Sequence, residues 1–123
     1  MSRANVVDSS AWLEYLADSP RAPRFAKAIE DARHLIVPVV TLYEVFRKVR
    51  RDRGSDEALQ AVAAMLHGTV VDVDVSLALE AGQLDLPMAD SLIYATVVRH
   101  GATLWTQDAD FEGLAGVKYF PRD

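Results

Sequence analysis

Four acidic residues from distant parts of the chain are the first candidates for chemistry: Asp8, Glu44, Asp90 and Asp108. Two carboxylates about 4 Å apart repel by roughly 4 kcal/mol at an effective dielectric near 20. If the four converge, they must therefore take up protons or bind a cation. Oxygen ligands in a chain without cysteine suit Mg²⁺ or Mn²⁺, and such an ion can activate water and stabilise charge on a phosphodiester.

Each acid also has a purely structural interpretation. Asp8 is a good N-cap for the residues after it, and Asp90 suits the positive end of a helix. Asp108 can cap a turn before Phe111. The structural interpretation is strongest for Glu44, because the segment 41–44 (Thr-Leu-Tyr-Glu) has the pattern of a capping box. Caps need no common location, so a shared location is what would distinguish a site from four separate caps.

The elements that would position the acids alternate along the chain. Short β-branched runs alternate with stretches of helical period, which predicts an α/β fold with a short, mostly parallel central sheet between two helical layers. Strands are predicted at 5–7, 34–37, 69–73, 102–106 and 118–120, and helices at 9–17, 25–31, 41–53, 56–67, 75–83 and 88–100. Ligands of such sheets bind beyond the carboxyl ends of the strands, where all four acids are expected.

Bulk composition limits the function classes. The length of 123 residues predicts one domain spanning 1–123, and no apolar run reaches the roughly 20 residues that span a bilayer. The absence of cysteine is compatible with a reducing cytoplasmic location. The net charge of −5 is unusual for a nucleic-acid binder, so a polyanion would need bound cations, a partner or a local basic patch. No glycine-rich phosphate loop follows Val7.

The acids lie within motifs that resemble the PIN-domain ribonucleases, in particular the VapC-type toxins of bacterial toxin–antitoxin pairs. The similar segments run over nearly the whole chain: 6–12 (VVDSSAW), 38–44 (PVVTLYE), 86–96 (LPMADSLIYAT) and 104–111 (LWTQDADF). The resemblance implies an α/β/α sandwich and a Mg²⁺- or Mn²⁺-dependent endoribonuclease. It also implies that Asp8, Glu44, Asp90 and Asp108 form the metal site.

Further expectations follow from the same resemblance. Ser10 and Thr106 stand where relatives carry small polar residues, and we expect them to orient a carboxylate or a water. Asp110 is a possible additional acid. Toxins of this type form homodimers and are silenced by a cognate antitoxin. The segment 76–87 is shorter than in relatives, which leaves the local fold near Leu84 and Asp85 open.

A basic cluster ends the predicted helix 41–53. Five of the thirteen basic residues lie there: Arg47, Lys48, Arg50, Arg51 and Arg53. They could be a solvated helix end that complements the dipole, a patch that contacts phosphates, or a face that meets an acidic antitoxin segment.

Two other function classes remain open from the sequence. A phosphoacceptor domain of receiver type shares a parallel sheet and an acidic pocket, but it needs paired acids after the first strand and a late lysine near them. Here only Asp8 follows that strand, and the only late lysine is Lys118. A catalytically idle interaction module would keep the fold and bind no metal.

Overall fold

A five-stranded parallel sheet forms the centre of the computed structural model, which describes residues 4–122. The strand order is β3-β2-β1-β4-β5, and all four pairings are parallel. The strands are β1 (Asn5–Val7), β2 (Leu35–Pro38), β3 (Thr69–Val71), β4 (Thr103–Thr106) and β5 (Val117–Tyr119). The predicted parallel sheet is confirmed, with strand ends shifted by one or two residues.

Six α-helices in the described part of the chain connect these strands. They are α1 (Ser9–Leu16), α2 (Pro23–Glu30), α3 (Val39–Arg53), α4 (Ser55–Met65), α5 (Val75–Ala81) and α6 (Met88–His100). None of them is both long and apolar enough to cross a membrane. The bounds of α6 match the prediction, and its last turn ends at Gly101 in the left-handed conformation.

Alternate residues of the central strands point to opposite faces, so the sheet has a core on each side. Val7 of β1 packs with α1, α2, α3 and α4 on one face, whereas the adjacent Val6 packs with α6 on the other. Leu104 and Trp105 of β4 divide between the two faces in the same way. These two cores confirm the predicted three-layer α/β/α sandwich.

Two predicted helix starts were wrong, and proline explains both. Helix α2 begins at Pro23, two residues before the predicted start at 25; at the first helical position the missing N–H of proline removes no intrahelical bond. Helix α3 begins at Val39 after Pro38, two residues before the prediction. Thr41 is therefore inside the helix with its hydroxyl buried and unpaired, so the capping box with Glu44 does not form.

The short segment before α6 leaves Asp90 at its predicted place in the first turn of that helix. Helix α5 has only seven residues, and turns lead from Gly82 to Pro87, with Leu84 packed against apolar side chains of both α5 and α6. Asp90 remains the third residue of α6. The strand order also differs from the 2-1-3-4-5 order of receiver domains, so the fold does not favour that alternative.

Candidate metal centre

The carboxyl ends of β1 and β4 place two of the predicted acids side by side. These two strands pair directly with each other in the sheet. Asp8 is the first residue after β1, and Asp108 is the second residue after β4. Glu44 extends from the second turn of α3, and Asp90 lies in the first turn of α6. The four predicted acids, together with Asp110, are called the acidic centre below.

Three aspartates of the acidic centre come close enough to share an ion. One carboxylate oxygen from each of Asp90, Asp108 and Asp110 lies within 4.8 Å of the other two. Asp108 also caps the short 3-10 turn Ala109–Phe111, since its Oδ1 accepts a hydrogen bond of 2.9 Å from the Asp110 N–H. The capping interpretation of Asp108 is therefore correct, and the cap itself holds Asp108 and Asp110 together.

The Asp90 carboxyl shows the largest electrostatic consequence of this proximity. Its pKa rises from 3.8 to about 7, first because it is partly buried, and then because of a hydrogen bond with Asp110 and the charges of Asp108, Asp110 and Glu44. A carboxyl that retains its proton near neutral pH is in a place where positive charge is needed. A cation bound there would replace that proton.

The carboxylate of Asp8 is buried and is held by hydrogen bonds. Its Oδ1 accepts from the Ala11 N–H at 3.0 Å, so Asp8 caps α1, and its Oδ2 accepts from the Thr106 hydroxyl at 2.6 Å. The Ser10 hydroxyl lies within 3.2 Å of both oxygens. Burial nevertheless raises the pKa of Asp8 to about 6, and the charge of Asp108 adds to that rise.

Glu44 joins the acidic centre through the first turn of α1. Its Oε1 accepts a hydrogen bond of 2.9 Å from the Ser9 hydroxyl. Its pKa is raised, chiefly by burial and further by the charge of Asp108, while the bond from Ser9 opposes the rise. The charge of Asp108 thus raises the pKa of each of the other three predicted acids, Asp8, Glu44 and Asp90.

The Thr106 hydroxyl joins two of the acids. It donates to Asp8 and at the same time accepts from the Asp108 N–H at 2.9 Å. The hydroxyl thus acts as a donor to one acid and as an acceptor for the other. These two hydrogen bonds fix the orientation of the O–H bond and hold the segments that contain Asp8 and Asp108 against each other. The structure thus places Ser10 and Thr106 on a carboxylate, where the resemblance implied orienting residues.

Gln107 is a residue that sequence reasoning missed. It lies between Thr106 and Asp108 and is buried, and its amide nitrogen donates to Glu14 of α1 at 3.0 Å. Its amide oxygen accepts from Arg21 at 3.2 Å, and Arg21 lies 3.6 Å from Glu14. An amide directly before the predicted acid Asp108 was the available signal, but its partners lie 86 and 93 residues away in sequence.

The two tryptophans beside the acid-bearing segments serve the core. Trp12 is fully buried. The ring of Trp105 stacks on Phe120, its Nε1 donates to Asn5, and the ammonium of Lys118 lies 4.4 Å from its ring centroid. Lys118 is therefore engaged by an aromatic ring, which is a further point against a receiver-type pocket.

The acidic centre suits a hard divalent cation. Its donors are all carboxylate oxygens, three of them converge within 4.8 Å, and Asp8 and Asp90 both have raised pKa values. Mg²⁺ and Mn²⁺ favour oxygen ligands of this kind. The converging set includes Asp110, which the sequence indicated only as a possible additional acid. It does not include Asp8, whose oxygens accept hydrogen bonds from Ala11 and Thr106.

Known structures share this fold. A toxin–antitoxin complex from Klebsiella pneumoniae matches with a TM-score of 0.78 and 18% identity, covering 97% of this chain and 100% of that one. The sarcin–ricin-loop-cleaving toxin VapC20 of Mycobacterium tuberculosis matches with a TM-score of 0.77 and 19% identity, over 96% and 100% of the two chains. A DNA-bound VapBC from Salmonella typhimurium matches with a TM-score of 0.73 and 17% identity, over 97% and 98%.

Sequence comparison gives the family directly. No curated protein sequence shows significant similarity to the chain. The model of the PIN domain, however, matches residues 6–117, which include every member of the acidic centre, all of β4 and β1 from Val6 onward. With its sheet, its two helical layers and its converging carboxylates at one sheet edge, the chain belongs to the PIN domain family.

Proposed function

We propose that this chain, as one domain over residues 1–123, is a divalent-metal-dependent endoribonuclease toxin that a cognate antitoxin holds inactive. The observation that carries the proposal is the convergence of Asp90, Asp108 and Asp110 within 4.8 Å at the carboxyl edge of a PIN domain sheet. Asp8 and Glu44 border this group and interact electrostatically with Asp108. The matching VapC20 is described as a sarcin–ricin-loop-cleaving toxin, which supports RNA as the substrate.

The side chains divide the work of phosphodiester hydrolysis. Asp90, Asp108 and Asp110 would hold Mg²⁺ or Mn²⁺, and when bound the ion supplies Lewis acidity at the phosphate. Glu44 lies across the group and either orients the attacking water or holds a second ion. Asp8, held by Ser10 and Thr106, keeps the ends of β1 and β4 in position and adds negative charge that acts on Asp108.

Protein partners are part of the proposal. Two of the matching structures are toxin–antitoxin assemblies, which supports a cognate antitoxin for this chain. Helices α5 and α6 expose large apolar side chains, which supports a homodimer formed through them; they are Val75, Leu79, Met88 and Val98. A chain without cysteine needs no oxidising compartment, so we place its activity in the cytoplasm.

Expression in bacteria tests this function. The wild-type chain should arrest growth and produce discrete RNA fragments, whereas Asp8→Asn should do neither. Glu112→Gln is the matched control, because this exposed acid is close to the Asp108 turn in sequence but outside the acidic centre, and it should arrest growth like the wild type. Arrest by Asp8→Asn as strong as by the wild type would contradict the proposal.

The catalytically idle interaction module remains the competing function. It predicts the same fold but no ion at the acidic centre. Calorimetric titration of the wild-type chain with Mn²⁺ distinguishes the two, because the nuclease requires a binding isotherm that Asp108→Asn weakens. The absence of any isotherm would favour the idle module.

A further inference from the structure

Helix α3 carries an excess of unpaired positive charge on an acidic protein. Two of its five clustered cations form ion pairs, namely Lys48 with Asp52 of the same helix and Arg53 with Glu57 of α4. Within residues 4–122, Arg50 and Arg51 have no ion pair. Arg47 donates only to a neutral hydroxyl. The basic cluster is therefore not simply neutralised by its own surroundings, although the net charge of the chain is −5.

Two of these arginines lie on the same side of α3 as Glu44. A helix turns about 100° per residue, so Arg47 and Arg51, three and seven residues after Glu44, lie within about 60° and 20° of it. They are separated by about 6 Å along the helix axis. Both are exposed, and together they form a line of positive charge that leads away from the acidic centre.

An exposed aromatic ring stands at the start of this line. Tyr43 directly precedes Glu44 and is 56% exposed, although a tyrosine ring usually buries more of its apolar surface. Arg47 donates a hydrogen bond of 2.9 Å from Nη1 to the Tyr43 hydroxyl, which restrains the ring one turn away. A restrained and exposed ring beside guanidinium groups that form no ion pair within residues 4–122 provides both stacking and charge neutralisation, the two contributions that single-stranded nucleic acid requires.

We propose that Tyr43, Arg47 and Arg51 form a subsite that binds single-stranded RNA along α3 and leads it to the acidic centre. The subsite rests on the proposed function, because RNA is its ligand. Arg47 and Arg51 neutralise successive backbone phosphates, and a base stacks on Tyr43. An acidic protein segment would match the arginines but would give no reason for an exposed ring next to Glu44, so the observations favour RNA.

Binding of a fluorescent 12-nucleotide single-stranded RNA, measured by anisotropy in EDTA at several salt concentrations, tests the subsite. Each phosphate contact contributes about 0.7 to the slope of log K against log salt for single strands, so Arg47→Gln and Arg51→Gln should each reduce the slope by about 0.7. Arg33→Gln is the matched control. Arg33 is exposed and precedes β2, at the opposite edge of the sheet, and its loss should leave the slope unchanged.

The stacking contribution has its own variants. Tyr43→Ala should weaken binding by about 10-fold or more without changing the salt slope. Tyr43→Phe keeps the ring and should retain most of the affinity. All of these positions are on the surface of α3, so circular dichroism should report unchanged folding.

Two results would overturn the subsite. One is a salt slope that Arg47→Gln and Arg51→Gln leave unchanged, as Arg33→Gln does. The other is a polyglutamate peptide that binds as tightly as the RNA with the same dependence on Arg51, which would make this face an acidic-protein site. Because binding is read without metal or cleavage, RNA that binds through α3 but is never cut contradicts the proposed function and leaves the subsite standing.

Discussion

The fold places the carboxyl group of Asp90 in a partly buried position beside other carboxyls, where its charged form is disfavoured. Its pKa is raised to about 7 because burial and the neighbouring carboxyls Asp108, Asp110 and Glu44 all disfavour its charged form. Proteins tolerate such repulsion where a function uses it. We therefore expect the charge of Asp90 to lower the stability of the metal-free chain while serving its proposed function.

Asp90→Asn should therefore stabilise the metal-free protein. The folded-state pKa of about 7 exceeds the ordinary 3.8, so the stability that protonation gives is complete below about pH 4 and is lost as the pH rises through about 7. At pH 8 in EDTA the variant should gain about 1 kcal/mol in free energy of unfolding, a figure reduced for the partial exposure of Asp90. Urea denaturation at pH 8 and pH 4 measures this, and an equal gain at both pH values would contradict the account.

Thr106 should act on Asp8 through its hydroxyl alone. Thr106→Val keeps the side-chain volume but removes the donor to Asp8 and the acceptor of the Asp108 N–H. We expect the pKa of Asp8 to rise further above about 6, and the free energy of unfolding to fall by about 1–3 kcal/mol. Carboxyl-carbon NMR titration and urea denaturation measure the two effects. Thr106→Ser should restore the pKa of Asp8; if Thr106→Val alone leaves it unchanged, the hydroxyl does not tune this acid.

At the scale of elements, the sequence predicted best those helix and strand bounds that depend on residues close by in the chain. Strand β1 and helix α6 have the predicted bounds because β-branched runs, a proline before the helix and Gly101 after it are signals within a few residues. The start of α3 was wrong because Pro38 competes with Thr41 for the helix entry, and sequence alone does not rank the two.

The contacts that assemble the candidate site were harder to predict because they join distant elements. Ser9 meets Glu44 across 35 positions, and Gln107 meets Glu14 across 93. Such pairs depend on how α1 packs against α3 and β4, which no local pattern encodes. The shared sheet edge of Asp8 and Asp108 was predictable, because strand ends in a parallel sheet meet at one edge, while their metal-binding role stays a prediction.

Gln107 should position the Asp108 turn against α1. Gln107→Ala removes the amide that joins this turn to Glu14 and Arg21, so Asp108 and Asp110 lose a support. Loss of an outer support of this kind typically lowers metal affinity by about 10-fold or more. Calorimetric Mn²⁺ titration should show that loss, with Glu112→Gln as the control. Affinity equal to that of the wild type would assign Gln107 a role in folding only.

At the scale of the whole molecule, an acidic chain is proposed to act on a polyanion. Its net charge of −5 is unfavourable for RNA binding, and two proposed local features oppose it: a cation held by the acidic centre, and the arginines of the proposed subsite on α3. Opposite charges therefore occupy different places, with the acids at the sheet edge and the clustered guanidinium groups along the adjacent helix α3.

A bound cation should stabilise the entire fold. A ligand that binds only the folded state adds about 2.7 kcal/mol at a concentration 100 times its dissociation constant. The melting temperature of the wild-type chain should therefore rise with Mg²⁺ or Mn²⁺, and Asp108→Asn should abolish most of the rise, because Asp108 interacts with the other acids. A rise that is the same in both proteins would place the ion elsewhere.

The most direct test of the central claim is cleavage of a single-stranded RNA by the purified chain. The wild type should cut it in Mg²⁺ or Mn²⁺, stop in EDTA and resume when the metal is restored. Asp90→Asn and Asp108→Asn should each lose at least 100-fold in rate, on the order of a lost electrostatic stabiliser, while remaining folded. Cleavage that persists in EDTA, or at the wild-type rate in both variants, would contradict a nuclease built on these carboxylates.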